Sequence, residues 1–185
     1  MTFPWDELNV IRSKLERQEI AEEAEDGGKR YDAEKCIDIV YEYLEMAWTM
    51  GVDNVNENLS TSYAVQDAEM RSAIYQKVAG KDFTERVREY AENGDFDSIM
   101  RVAETDAHRV LNDAAFKTAK KAKAQYKTWN TMNDERVRDQ HAYLQAVTIP
   151  IDDYFVTYTG ERTLAPGQFG TGELDCNCRC ILTFA

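Results

Sequence analysis

Three of the four cysteines of this chain fall within five residues, at Cys176, Cys178 and Cys180. Alternate residues of an extended strand face the same side, which would permit two or three of these thiols to converge. A tetrahedral zinc ion takes thiolates and imidazoles as ligands, and His141 could supply the imidazole. The usual zinc spacing separates paired cysteines by about two to four residues, which Cys-x-Cys does not match. The pattern therefore leaves two interpretations open, a zinc site and free thiols that pack in a core.

A segment dense in hydrogen-bonding side chains precedes the cysteines, between Trp129 and His141. We predict a short helix from Asp134 to Leu144. In such a helix Asp134 and Arg138 stand four residues apart and can pair, and Arg138 and His141 project together. A charged surface helix would show the same spacing, so the segment alone does not decide between a site and a solvated face.

The only basic segment of the chain is short and central. The net charge is −12, yet residues 101–145 carry nine basic and six acidic side chains. Lysines at the end of a helix are usually solvated there, and contact with DNA phosphates is the alternative. A chain that coats DNA would show a broader basic face. The lysines in question are Lys117, Lys120, Lys121, Lys123 and Lys127.

Catalysis and membrane insertion have little support in the sequence. The cysteines have a histidine within the chain, but no local motif of a nucleophilic enzyme accompanies them. Ser60-Thr61-Ser62 is similar to the central motif of some ADP-ribosyltransferases, but the Glu-x-Glu that should come after it, Glu23-Ala24-Glu25, comes earlier. No apolar run approaches the roughly 18 residues of a membrane span. We therefore expect no catalytic residues and no membrane partner.

The N-terminal part of the chain is predicted to be helical, and its helices must position the residues described above. We predict a peripheral helical arm from Phe3 to about Glu25, with a hinge at Gly27-Gly28, so that residues 1–31 form an arm. A second helix is predicted after Asp32, a plausible N-cap, and Gly51 fits the position that ends it. Residues 52–60 would then be a connector. The apolar face of this helix comprises Cys36, Ile37, Val40, Tyr41, Leu44, Ala47 and Trp48.

Three more helices complete a helical region over residues 32–125. We predict one from Thr61 to Val78 and one that begins at Asp82, which has capping-box spacing with Glu85, and runs to Tyr90. A long helix capped by Asp97 or Ser98 is predicted to reach about Lys123 and to be half buried.

The pattern changes after residue 125, and strands become the better prediction. Strand candidates are 126–132, 147–151, 155–159 and 180–184, separated by glycine-rich turns. The fold class is therefore predicted to be α+β, with a mainly helical N-terminal two-thirds followed by a small β-containing C-terminal module over residues 126–185.

Four blocks of residues, in order between about residues 65 and 183, resemble one protein family. Arg101 to Asn112 is similar to a helix written R-I-A-x-T-E-x-x-R-x-x-N, and Trp129 to His141 has the pattern W-x-x-x-x-D-x-R-x-R-x-x-H. The two later blocks of the family pattern are matched as well. One corresponds to Phe155 with Pro166-Gly167, and the other to the closing N-C-R-C at residues 177–180. The chain thus resembles the phage head-morphogenesis, or minor capsid, family of Mu F-like and SPP1 gp7-like proteins.

The resemblance implies a structural role for the matching residues. Asp106 stands where glutamate is usual, and Cys176 occupies a normally aliphatic position, so it is the least expected of the metal ligands. We predict that the segment around Asp134 ties the short helix to the cysteines, through a zinc ion held by His141, Cys178 and Cys180. The motif residues are Thr105, Asp106, Arg109, Asn112, Trp129, Asp134, Arg136, Arg138, His141, Phe155, Pro166, Gly167, Asn177 and Arg179.

The resemblance also implies a place and partners. Proteins of this family enter the phage head in few copies, bind the portal, and in some proposals contact packaged DNA. They are not established enzymes, although related domains occur fused to toxins, so a toxin-like effector and a DNA-binding accessory protein are the alternatives. We expect a virion protein of the head interior or portal vertex, present in the host cytoplasm during assembly. Its helical front, acidic outside and apolar on one face, would dock on the portal or the major capsid protein.

Overall fold

The N-terminal part of the chain is mainly helical, and the C-terminal part contains small antiparallel sheets. This arrangement confirms the predicted α+β class. The computed structural model describes residues 5–20 and 30–185. The helices in these residues are α1 Trp5–Glu16, α2 Ala33–Leu59, α3 Asp67–Ile74, α4 Phe83–Glu92, α5 Phe96–Lys121, α6 Asp139–Tyr143 and α7 Gly172–Asp175. None of the helices in the described ranges combines the length and the apolar character needed to cross a membrane.

The strands pair within three small sheets. They are β1 Glu19–Ile20, β2 Arg30–Tyr31, β3 Tyr126–Asn130, β4 Thr148–Pro150, β5 Phe155–Val156, β6 Arg162–Thr163 and β7 Ile181–Phe184. The central sheet has the order β4-β3-β7, with Thr128 opposite Thr148 and Trp129 opposite Leu182. Strand β1 pairs with β2, and β5 pairs with β6.

Helix α2 begins where it was predicted and ends eight residues later than Gly51. Asp32 caps it, because its carboxylate accepts a hydrogen bond from the Lys35 backbone N–H at 3.2 Å. The predicted end at Gly51 and the predicted connector over residues 52–60 are wrong. A Cβ at Gly51 would lie 2.3 Å from the Leu111 carbonyl oxygen of α5, so this glycine permits close helix packing. The helix ends instead at Leu59, and its C-cap, Ser60, adopts the left-handed conformation.

Helix α5 is the central element of the molecule. Its cap is Asp95, whose side chain accepts from the Ser98 N–H at 3.0 Å, and not Asp97 or Ser98 as predicted. Helices α2, α3 and α4 and strand β7 all pack against it. Nearly every face is therefore buried, more than the half burial that the sequence predicted.

The remaining helices depart from prediction at their ends. The capping box of α4 is confirmed, with both Asp82 and Glu85 making their reciprocal bonds. The helix predicted from Thr61 is limited to α3, because the Asn56 side chain accepts from the Thr61 hydroxyl and the Tyr63 N–H and holds this segment outside a helix. Helix α1 stops at Glu16 and the chain turns into β1. The rest of the predicted arm, including Gly27-Gly28, lies outside the described residues.

Two clusters of buried side chains make up the core. The first cluster contains residues from all the helices from α1 through α5. The apolar face of α2, from Cys36 to Trp48, is buried in this cluster. This face is therefore unavailable as the docking surface that the sequence suggested. The second cluster joins the sheets to Val55 of α2 and Ala115, Phe116 and Ala119 of α5. The division of the chain at residues 31 and 125 stays a prediction.

Candidate metal centre and its supporting contacts

His141, Cys178 and Cys180 converge in the second core cluster. The His141 Nδ1 atom lies 3.7 Å from the Cys178 Sγ and 3.5 Å from the Cys180 Sγ. All three side chains are buried, and their ligand atoms lie within 4.8 Å of one another. Ligands of a tetrahedral zinc ion, at ordinary Zn–N and Zn–S bond lengths, are separated by about 3.6 Å. The arrangement of these three side chains therefore fits a zinc ion.

The third cysteine of the cluster stands apart from this group. Cys176 comes directly after α7 as its C-cap residue, and Asn177 takes a left-handed conformation with φ 55°. Asparagine tolerates that conformation better than most residues. The chain from Cys176 to Cys180 is therefore turned and not extended. Cys178 and Cys180 converge although the segment is not the extended strand that the sequence suggested, while Cys176 is not a member of the group.

His141 is oriented by two aromatic side chains that pack against its ring. The Phe169 ring stacks on the imidazole with centroids 5.6 Å apart, and Trp129 meets it edge-on at 5.6 Å. Phe155 packs against Trp129 in turn, at 5.1 Å. The His141 Nε2 atom is buried and has no hydrogen-bond partner among the described residues. The ring is thus held by aromatic contacts, with Nδ1 directed at the two sulfur atoms.

The segment before His141 is a turn and not the first half of a helix. Helix α6 starts only at Asp139, so the predicted pair of Asp134 and Arg138 does not form. Asp134 instead receives two hydrogen bonds from the Arg179 guanidinium, at 2.7 and 2.6 Å. Arg138 donates to the Cys176 carbonyl oxygen at 2.6 Å. Two arginines therefore join this turn to the segment that carries the cysteines, whereas the tie through a zinc ion stays a prediction.

The two buried thiols differ in acidity. A hydrogen bond from Cys180 and one from His141 lower the pKa of Cys178 to about 5, against the opposing effect of burial. The same contact with Cys178, together with burial, raises the pKa of Cys180. The indole of Trp129 acts in the opposite direction and favours the Cys180 thiolate. The pair can therefore hold one thiolate near neutral pH, and a thiolate is the form that binds metals.

Asn112 connects α5 to the strand that comes after the cysteines. Its side-chain amide donates to the Cys180 carbonyl oxygen at 3.0 Å and accepts from the Leu182 N–H at 3.2 Å. Asn54 of α2 donates to the Leu182 carbonyl oxygen at 3.1 Å. These amides occupy the side of β7 that does not face β3. The sequence did not indicate Asn54, because it lies in the stretch predicted as a connector.

The other motif residues of α5 hold neighbouring segments. Arg109 donates a hydrogen bond to the carbonyl oxygen of Ala73, near the end of α3, at 2.9 Å. Its Nε atom lies 3.7 Å from the Asp106 Oδ1 atom. Gly167 has φ +78°, and a Cβ there would approach the Arg109 Cα to 3.3 Å. Pro166-Gly167 therefore crosses α5 closely, which requires a residue without a side chain.

Two further contacts complete the motif on α5. The Thr105 hydroxyl accepts a hydrogen bond from the Asn177 N–H at 3.2 Å. Asp106 is fully buried and pairs with Arg86 of α4 at 2.5 Å. Arg136, in contrast, is exposed and lines a small cavity beside His141.

Comparison with known proteins assigns the chain to a family. Residues 64–183 match the family described as Phage Mu protein F like protein. The chain belongs to this family. It is also 36% identical over 86 residues to the minor head protein GP7 of Bacillus phage SPP1, a match that covers 44% of this chain and 28% of that relative. No solved structure matches the chain. The Mu F-like region thus begins just before α3 and includes α5, the cysteines and β7.

The lysines of this Mu F-like chain do not form one exposed basic face. Lys127 is buried, and its ammonium group donates a hydrogen bond to the Leu164 carbonyl oxygen at 2.9 Å. The same group lies over the rings of Phe116 and Phe155. The prediction that Lys127 contacts DNA is therefore wrong. Burial lowers the pKa of this ammonium to about 8. The other predicted lysines pair as Lys117–Asp113, Lys120–Asp152 and Lys121–Glu69, and Lys123 is exposed just after the end of α5.

The other histidine of the chain, His108, lies in α5 and is buried. Burial lowers the pKa of its imidazole to about 3, and the charge of Arg179 acts in the same direction. The folded-state pKa is thus below the unfolded value of 6.5. Between these two values the unfolded chain binds more protons, so the free energy of unfolding falls as the pH falls through this window.

We expect His108 to remove about 2–3 kcal/mol from the free energy of unfolding between about pH 7 and about pH 4.5. Urea denaturation at the two pH values measures this loss. A His108→Gln variant is the control, since it retains the carboxylates that also titrate there. The loss on acidification should be smaller in this variant by the same amount. Equal losses in the two proteins would show that His108 protonates normally in the folded state.

Proposed function

We propose that this chain is a minor structural component of a tailed-phage head, acting in head morphogenesis by docking on the portal or the major capsid protein. The observation that carries the proposal is the 36% identity with a phage minor head protein, in a chain that belongs to the Mu F-like family. The chain aligns with 28% of the length of that relative, so the proposed role is that of the Mu F-like region. Its proposed location is the virion, after assembly in the host cytoplasm.

The positions of the motif residues support a structural and not a catalytic role. Asn112 and Thr105 bind the backbone of the cysteine segment, and Arg179 binds Asp134. Each of these side chains uses its polar atoms to fasten one part of the chain to another. We therefore propose no enzymatic activity, and the Mu F-like motif maintains the shape that a head partner binds.

A patch of exposed tyrosines is the proposed docking surface. Residues 154, 156 and 158 alternate with buried residues, so they share the outer face of an extended segment. Tyr143 of α6 packs edge-on against Tyr158 at 5.8 Å, and Arg162 lies over the Tyr154 ring. Tyrosine and arginine are enriched among the residues that dominate binding energy at protein interfaces. The side chains of this tyrosine patch are Tyr143, 59% exposed, Tyr154, 48%, Val156, 43%, and Tyr158, 55%.

We expect that replacing both Tyr143 and Tyr158 by serine reduces incorporation into heads at least about 30-fold. A reduction of this size corresponds to a loss of about 2 kcal/mol of binding energy. Both side chains are exposed, so the melting temperature should change little. The measurement is quantitative mass spectrometry of purified proheads and mature heads, with the portal protein as the copy-number reference. Val10→Ser is the matched control, because Val10 is an exposed apolar residue of α1, outside the tyrosine patch.

The two parts of the proposal fail separately. Absence of the wild-type chain from both proheads and heads would contradict the structural role itself. Normal incorporation of the doubly substituted chain would contradict the tyrosine patch as the docking surface while leaving the head role in place.

Contact with packaged DNA remains a secondary proposal with weaker support. Three of the five lysines predicted to contact DNA are paired with carboxylates, and a fourth is buried. Binding through phosphates would show retention on DNA that falls steeply with salt concentration. A toxin-like effector role is the remaining alternative, and none of the described contacts favours it.

A further inference from the structure

We propose that His141, Cys178 and Cys180 hold one Zn²⁺ ion, and that its fourth coordination position opens onto a small cavity lined by arginines. This inference rests on the geometry of three side chains and does not depend on the proposed role in the phage head. It assigns a ligand, a coordination number and an open position.

The donor atoms meet the requirements of zinc. One imidazole nitrogen and two thiol sulfurs are the donor types of zinc sites in proteins. The two N···S distances, 3.7 and 3.5 Å, bracket the roughly 3.6 Å expected around a tetrahedral ion. Zn²⁺ with two thiolates has no net charge, so its burial avoids the large cost of burying an isolated ion.

The neighbourhood of the three ligands leaves room for a fourth. A cavity of about 10 Å³ adjoins them, close to the size that one water molecule needs. Its further lining residues are Met132, Arg136, Val137, Arg138, Asn177 and Arg179. Among the side chains that the structure describes, no fourth cysteine, histidine or carboxylate joins the group. In this proposal the fourth ligand enters from solvent, through this arginine-lined cavity.

The charge around the cavity determines which ligand it favours. Three arginines line the cavity beside an otherwise neutral zinc complex, namely Arg136, Arg138 and Arg179, and the charge of Arg179 is offset by its pair with Asp134. Positive groups near a metal favour hydroxide or another small anion over a neutral ligand at the open position. We therefore assign the fourth position to solvent or a small anion such as azide, which can serve as a probe.

A bound ion would connect parts of the chain that are distant in sequence. His141 lies in α6, and the two cysteines lie 37 and 39 residues further along, just before β7. A ligand that binds only the folded state stabilises that state. Removal of zinc should therefore lower the melting temperature, and this effect provides a readout independent of any activity.

The first test measures the zinc content of the purified full chain by elemental mass spectrometry, after dialysis against Zn²⁺. One zinc per chain is expected, with retention lost in Cys178→Ser, Cys180→Ser and His141→Gln. Cys176→Ser and Cys36→Ser are matched controls and should retain the ion. Less than about a tenth of an equivalent in the wild type, or unchanged zinc in all three ligand variants, would overturn the site. A disulfide between Cys178 and Cys180 in place of bound metal would overturn it too.

Cobalt substitution of the wild-type chain tests the coordination without a variant that must fold. Co²⁺ bound by thiolates in four-coordinate geometry gives sulfur-to-metal charge-transfer bands and intense visible bands. We expect azide to shift the visible bands, because it enters the open position. A spectrum unchanged by azide but altered in Cys176→Ser would show a closed site with Cys176 as fourth ligand, and would overturn the open position.

Discussion

Replacing Gly51 with alanine is expected to lower the free energy of unfolding by about 3 kcal/mol, at the upper end of the usual cost of overpacking a core. The added Cβ would lie 2.3 Å from the Leu111 carbonyl oxygen and 2.7 Å from the Ala114 Cβ. The first of these atoms belongs to the backbone of α5 and cannot rotate away. The only relief is separation of α2 from α5, which would loosen contacts along both helices.

Chemical denaturation of the purified protein measures this effect, and Gly172→Ala is the matched control. A Cβ at Gly172 would meet only the Cys176 Sγ, at an ordinary 3.6 Å. Both substitutions reduce the entropy of the unfolded chain equally, so their difference isolates the close contact. A Gly51→Ala protein as stable as Gly172→Ala would show that α2 and α5 can separate at no cost.

The second large effect is expected at Asp106. Its side chain is 1% exposed and contacts Arg86, 14% exposed, and Arg109, 5% exposed. Asp106→Ala would leave two largely buried guanidinium groups without their carboxylate. Removing one partner of a buried ion pair costs about 3–5 kcal/mol, and we expect a loss in that range.

A surface pair provides the comparison for this prediction. Glu34 and Arg88 also pair at 2.7 Å, but their side chains are 72% and 43% exposed. Glu34→Ala should therefore cost less than about 1 kcal/mol. Asp106→Glu keeps the charge and should lose less stability than Asp106→Ala. Equal losses in Asp106→Ala and Glu34→Ala would contradict a special role for the buried pair.

Local signals in the sequence predicted local structure. The caps at Asp32 and Asp82 depend on side chains that bond to backbone groups two or three residues away, so the pattern alone contains the information. Gly51 shows the limit of such signals. A glycine after an apolar stripe indicates a helix end, yet here it accommodates α5, whose contacting residue, Leu111, is distant in the sequence.

The candidate site was predicted in part for the same reason. The meeting of His141 with Cys178 and Cys180 was expected from the residue types and the resemblance. The helix predicted from Asp134 fails because Asp134 and Arg138 bind partners 45 and 38 residues away, which compete with helix formation. Lys127 shows a different cause. The sequence groups it with the lysines at the basic end of α5, but it lies in β3 and its side chain is buried in the core.

The sides of the central sheet determine how the protein can meet other chains. Beyond β7, the backbone groups of Leu182 are bound by the side chains of Asn54 and Asn112. On the other side, β4 is three residues long and ends at Pro150, which has no N–H to donate. Free strand edges invite pairing with a second chain, and short strands and proline suppress it. Strand addition to this sheet is therefore disfavoured, so copies crowded together resist aggregation through it.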